Sequence, residues 1–419
     1  MRRLLCAVAV LNLAACGSAS ASASHTRTAA THGERIAHAS QAPSACASAV
    51  TGALGGVATR IYRAAGSGGD VAEAVQRVRG SVALARAIDS GNAAGARSAL
   101  SALLLGQIVR IEVLRHGRTF AAAGAGSATA PVRGSIPGTG ASFVLSVQSD
   151  RSYLQVASQV TGAQVLLLSA PGAREGGASR RLAGTIPGPP PASVPESGAL
   201  SYAGHDYQVV SLAGAAYPSG AVRIALLVPT GAIACPGSLA QAHVETLGHV
   251  GERVYEEELH SASVVQTQRR LEDSSAFQHA VAARDVAATR AAIVGFFEAH
   301  LHVVRVRVTV GSHLLIDVGG PYVLAPVHAT LRLHGRVVGH FVWAIQDDAG
   351  YLKLAHLFTD AEVLMRMGQR QVEGTLTPGP ASVPDRGAVS YGGRAYQAYS
   401  FDAEAFPAGP LRVSLLIPS

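Results

Sequence analysis

Lysine is all but missing from this sequence: Lys353 is the single one, and every other fixed cation is an arginine. Aromatic residues make up 5% and charged residues 15% of the chain. The arginines are scattered, so a nucleic-acid surface, which needs clustered cations interleaved with aromatics, has nothing to be built from. The formal net charge of +7 is small for 419 residues. Enzyme signatures are also missing. There is no Gly-x-Ser-x-Gly elbow, no His-Glu-x-x-His and no Walker loop. Gly138-Thr139-Gly140 is an isolated fragment, and nothing in the sequence calls for a cofactor.

With apolar residues at 48%, the chain has ample material for buried cores, and its length suits two domains better than one. Arg2 and Arg3 precede the apolar stretch Leu4 to Leu13. That stretch is too short to cross a bilayer and right for the core of a signal peptide. It ends in Leu13-Ala14-Ala15-Cys16-Gly17, which resembles a bacterial lipobox. The resemblance implies a signal over 1–16, lipidation at Cys16, and a protein held on the outer face of the cytoplasmic membrane. The alternative is an ordinary secretory signal that happens to contain a cysteine. Residues 17–43, rich in Ser, Ala, Thr and His without apolar periodicity, read as a flexible tether.

Four cysteines are present. With Cys6 lost in the signal and Cys16 lipidated, Cys46 and Cys235 remain, and an oxidising compartment favours a disulfide between them over two buried thiols. Cys46 is placed before the opening helix of the first domain and Cys235 after its last strand.

An internal repeat organises the rest. Pro191-Ala192-Ser193-Val194-Pro195, then Ser201-Tyr202, Tyr207-Gln208 and Leu226-Leu227-Val228-Pro229, recur without gaps as Pro380-Ala381-Ser382-Val383-Pro384, Ser390-Tyr391, Tyr396-Gln397 and Leu415-Leu416-Ile417-Pro418. Upstream, Phe143 to Asp150 aligns with Phe341 to Asp348, and Ala130-Pro131-Val132 with Ala325-Pro326-Val327. These matches divide the chain into domains at 44–235 and 240–419, the first divergent and shortened.

Periodicity predicts one long helix over about 240–270, with Leu247, Val250, Val254, Ala262 and Val265 as its apolar stripe. A second helix starts at the N-cap Asp285, with Val286, Thr289, Ile293, Phe296 and His300 on one face; Asn92 is the matching cap in the first copy. Val304, Val306 and Val308 alternate as a half-buried strand does. Leu331 to Val338 reads as a hairpin, Gly339 to Ile345 as the next strand, Tyr351 to Phe358 as a short helix, and Leu411 to Ile417 as the final strand. The fold class expected is α+β, a long N-terminal helix and a further helix packed on an antiparallel sheet in each copy.

The long helix, the capped second helix, Asp317-Val318-Gly319-Gly320-Pro321, and Gly339 to Gln346 leading into Asp347-Asp348-Ala349-Gly350-Tyr351 together resemble the Cache (PDC) extracellular sensor superfamily. The resemblance implies two PAS-like domains and recognition of a small polar ligand such as an organic acid, amino acid or amine. Cache domains usually precede a transmembrane helix and a cytoplasmic signalling domain; the sequence stops at Ser419 with neither, so a signal would pass to a separate protein.

Residues shared by the copies, Gln148/Gln346, Asp150/Asp348 and Tyr153/Tyr351, are expected to serve the fold, the aspartates as helix N-caps. Residues in the second copy alone are the ligand candidates. Asp317 is read as replaced by an alanine near Ala123, Trp343 by Leu145 and Asp347 by Ser149. An amine ligand needs a carboxylate and an aromatic wall, which Asp317, Tyr322, Trp343 and Asp347 would supply, with Tyr351 beside them. Arg307 would instead pair with a carboxylate. His300, His302, His313, His328, His334, His340 and His356 would hold a metal only if three met, and no Cys or Glu spacing supports that. Three functions remain open: a sensory binding lipoprotein, a structural or protein-interaction lipoprotein with degenerate pockets, and a metal-handling or hydrolytic one.

Overall fold

A computed structural model describes residues 44–419 apart from 105–107, 170–180, 187–190, 192, 236, 300–302, 321–322 and 407–408. The signal peptide, Cys16 and the whole tether lie outside the described residues, as do Tyr322, His300 and His302.

The first repeat opens with helices α1 (Ala45–Ser67), α2 (Gly69–Arg79), α3 (Val82–Asp89) and α4 (Ala93–Leu103). Then come β1 (Arg110–Arg115), β2 (Arg118–Gly124), β3 (Ala128–Thr129), β4 (Val132–Ser135), β5 (Ser142–Ser146) and β6 (Gln148–Ser149). Helix α5 (Asp150–Thr161) leads into β7 (Gln164–Ser169), β8 (Arg181–Gly184), β9 (Ser197–Tyr202), β10 (His205–Tyr217) and β11 (Gly220–Pro229). The second repeat runs α6 (Leu239–His260), α7 (Ala262–Glu272), α8 (Ser275–Ala282), α9 (Val286–Ala299), β12 (Arg305–Val310), β13 (His313–Gly319), β14 (Val323–Leu324), β15 (Val327–Leu333) and β16 (Arg336–Ala344). It ends with α10 (Asp348–Thr359), β17 (Glu362–Met367), β18 (Arg370–Gly374), β19 (Arg386–Tyr391), β20 (Arg394–Phe406) and β21 (Gly409–Pro418).

The fold is mixed α+β, and the strand pairings between these elements are antiparallel. Each repeat carries two sheets. The smaller ones have the orders β2-β1-β5-β4 and β13-β12-β16-β15. The larger ones have the orders β6-β3-β10-β11-β7-β8 and β14-β20-β21-β17-β18, with β9 on β10 and β19 on β20. The order repeats within a repeat as well: β2-β1-β5-β4 in the small sheet matches β8-β7-β11-β10 in the large one. In both, a hairpin's first strand lies between its partner and a later strand.

Polar caps start the helices. Asn92 accepts from Gly95 N at 2.8 Å and Asp285 from Ala288 N at 2.9 Å. The long helix of the second repeat ends at His260, well short of the expected 270. The 240–270 segment is two helices broken at Ser261, whose ψ of 154° is extended and whose N–H closes α6 on Glu257 O. Val265, on the expected stripe, is 42% exposed. Cys46 lies within the first turn of α1 and not before it. The hairpin read at 331–338 and the strand read after it are one hairpin, whose second arm β16 runs through to Ala344. Gly124 and Gly319 end β2 and β13 with φ of 86° and 129°, and a Cβ there would strike the carbonyls of Val109 and Val304.

The core departs from the picture of two separate domains. Side chains of α1, α5, α6 and α10 and of both large sheets form one continuous cluster, including Leu54, Val57, Tyr153, Leu247, Val250, Tyr351, Leu226 and Leu415. The joint is reciprocal. Arg60 of α1 donates to Phe358 O at the end of α10, and Arg253 of α6 donates to Thr161 O at the end of α5. Each small sheet has its own cluster, with α2–α4 in the first repeat and α7–α9 in the second. Cys46 and Cys235 form a disulfide.

Candidate functional site

The residues singled out from sequence do not converge on one open pocket. Asp317 of β13 faces Arg305 and Arg307 across the β12–β13 ladder. Arg305 grips it with two bonds of 2.8 Å, and Arg307 Nε adds a third at 3.0 Å. Burial pushes the Asp317 carboxyl up, but the hydrogen bonds and charges of the two arginines outweigh it and hold it below its ordinary value. Both guanidiniums stand over the Phe406 ring, 5.0 and 4.5 Å from its centre. Asp317 is therefore already neutralised and is no seat for an amine. The β1–β2 register places Ala122 opposite Glu112, as Asp317 stands opposite Arg307, so the alanine read near Ala123 is Ala122.

Trp343 and Tyr351 are fully buried. Trp343 belongs to the small-sheet core, and the Tyr351 hydroxyl donates to Gly251 O at 2.9 Å, as Tyr153 does to Ala58 O at 3.2 Å. The caps of α5 and α10 are Ser149 and Asp347, whose side chains accept from Ser152 N and Gly350 N. Asp150 and Asp348 occupy the first turn instead, one residue later than expected. His313, His328, His334, His340 and His356 are exposed, and among the described residues no three His, Cys, Asp or Glu side chains gather to hold a metal.

What separates the copies most is the long helix. The shared contacts of Arg60 and Arg253, and of Gly55 against Val210 and Gly248 against Tyr399, fix the equivalence of α1 and α6. At equivalent positions α1 carries Gly52, Gly56, Thr59 and Ala65, and α6 carries Glu245, His249, Glu252 and Glu258. Three of these engage β19 and β20. Tyr399 donates to Glu252 Oε2 at 2.9 Å with His249 Nδ1 at the same distance, and Arg386 stacks 3.5 Å above the Tyr399 ring while its Nε meets Glu245 at 3.1 Å.

The fourth has no such partner. Glu258 is buried, and neither of its carboxyl oxygens has a hydrogen bond. Burial, with the Asp347 carboxylate adding to it, holds its carboxyl well above the ordinary glutamate range. Tyr351 is raised too, by burial first and then by the charges of Glu258 and Glu252. The Trp343 indole N–H, where the first repeat has Leu145, and Arg366 Nε are further buried polar groups without a hydrogen bond among the described residues of this repeat. Comparing α1 with α6 position by position would have revealed Glu258, because only the second copy sets a carboxylate on that face.

Comparison with protein-family models gives no match, and comparison with curated proteins gives no significant one.

Proposed function

We propose that the protein is an exported, lipid-anchored binding protein whose second repeat takes a small amine-bearing ligand and passes the signal to a separate partner. It acts as a receptor and not as an enzyme. The observation that carries this reading is Glu258. A buried carboxyl without a donor costs about 1–3 kcal/mol relative to a satisfied one, and the equivalent Ala65 shows that the fold does not need it. A ligand ammonium would supply the missing donor, with Asp347 adding negative potential and Tyr351 and Tyr255 in the same electrostatic neighbourhood. The site is closed in this structure, and Glu258 lies one turn before the α6–α7 break at Ser261, where the two helices can part. A pair of Cache-like domains at 44–235 and 240–419 is part of the same reading; the strand order repeated among the sheets and the long opening helices support it.

Calorimetric titration of residues 44–419 with a primary amine, a diamine, an α-amino acid and a dicarboxylic acid tests it. Saturable heat from an amine-bearing compound, weakened at least tenfold by Glu258→Gln in a protein with unchanged circular dichroism, is expected. Equal binding by Glu258→Gln, or heat from the dicarboxylic acid alone, would overturn the amine assignment.

One observation favours the second reading, a structural or interaction protein. The continuous core joining the repeats makes a rigid body well suited to display surfaces. Silence across the whole panel would leave that reading in place of the receptor.

A further inference from the structure

An open cleft among the described residues lies in the first repeat, away from Glu258. It has a volume of about 650 Å³ and runs between one face of α5 and the whole of β8. The helix side presents Arg151, Gln155 and Gln159, and Leu154, Leu182 and Ala183 provide apolar surface. Among the described residues that line it, none is acidic.

Two features single this groove out. β8 is an edge strand, paired with β7 on one side and with no strand of the described residues on the other. Arg181, Ser158 and Thr185 are already committed, to Gly184 O and Ile186 O, to Ala163 O, and to Gln164. Arg151, Gln155 and Gln159 have no hydrogen bond among the described residues, although they recur on every fourth position and so project along one line. That line spans about 12 Å at the helical rise, the length of roughly four residues of extended chain. The second repeat keeps the strand but not this row of donors, since Ala349 and Leu357 replace Arg151 and Gln159 on α10 and only Lys353 keeps a donor, a single ammonium in place of the Gln155 carboxamide.

We propose that this groove takes an extended, acidic peptide segment of a partner protein, added as a further strand on the open edge of β8. Its backbone would pair with β8, its carboxylate with the Arg151 guanidinium, and its amide groups with the carboxamides of Gln155 and Gln159. Strand addition draws affinity from the main chain and specificity from the side chains of the flanking helix, and a groove with arginine and without carboxylates selects an acidic segment over a basic one.

The test uses residues 44–419 and fluorescein-labelled octapeptides of alternating Val and Thr, each with one Glu at a different position, read by fluorescence anisotropy. Saturable binding is expected for at least one register. It should weaken roughly tenfold when that Glu becomes Gln or when Arg151 becomes Ala, and it should vanish when N-methyl groups block one edge of the peptide but not the other. Three results would overturn the proposal: no saturation by any register up to about 1 mM, binding indifferent to Arg151→Ala, or equal tolerance of N-methylation on both edges. Because Arg151 is exposed and unpaired, its replacement leaves the fold intact, and loss of binding reads on the groove alone.

Discussion

Glu258 makes a claim about pH as well as about ligands. Its folded pKa is raised, so the folded state holds a proton that the unfolded chain releases near the ordinary value of 4.5. The stability tied to this group is therefore present in full below that value and is lost as pH rises toward the folded pKa. Asp317 has the opposite sign: its folded pKa is lowered, so its contribution is present above 3.8 and is lost as pH falls. Melting curves from pH 4 to 8 should show Glu258→Gln gaining stability over the parent as pH rises. Equal pH slopes for the two proteins would show that Glu258 is solvated after all. Asp317→Ala should cost about 1–3 kcal/mol at neutral pH, because it strands two partly buried guanidiniums over Phe406. Chemical denaturation measures that loss, and Arg307→Ala, which leaves the bidentate Arg305 pair in place, should cost less.

At the scale of elements, much was legible and the reasons are local. Asn92 and Asp285 announced helices because a short polar side chain before an apolar periodic run has a cap to make. Val306 and Val308 announced β12 because alternate burial is what a strand with one covered face requires. The break at Ser261 was not legible in the second repeat alone, since serine neither forbids a helix nor frees its backbone as glycine does. The first repeat breaks at the equivalent Gly68, and its glycine was the available signal. The burial of Trp343 and Tyr351 and the pairing of Asp317 depend on which strands lie side by side, and no spacing along the chain encodes that. Long-helix glycines give a paired prediction. Gly248 packs directly under the Tyr399 ring, so Gly248→Ala should destabilise by about 1–3 kcal/mol through overpacking, despite the helical gain. Gly52, with open space where its Cβ would be, should gain about 0.5–1 kcal/mol as alanine. If both variants shift the thermal midpoint the same way, the α6–β20 contact is not as close as described.

For the whole molecule the decisive feature is the reciprocal joint between the repeats. The sequence repeat suggests two beads on a string, each with its own core. The structure instead buries α1 against α6 and lets each repeat's arginine close the helix end of the other, Arg60 on Phe358 O and Arg253 on Thr161 O. A shared core couples the unfolding of its parts, so residues 44–419 should melt in one calorimetric transition for the large-sheet layers. Two well-separated transitions of similar size would mean that the repeats are independent. The same joint bears on how the second repeat can be studied. Cut away from the first, residues 240–419 would expose the apolar face formed by Val250, Val254, Leu352 and Phe358, and surfaces of that kind associate. That fragment should sediment as a dimer or larger species while residues 44–419 remain monomeric. A monomeric, stable 240–419 fragment would show that the joint contributes little. If the proposed ligand binds at Glu258, it would act on a body in which α6 touches both repeats, and a parting of α6 from α7 at Ser261 would reach the first repeat through the contact of Arg253 with Thr161.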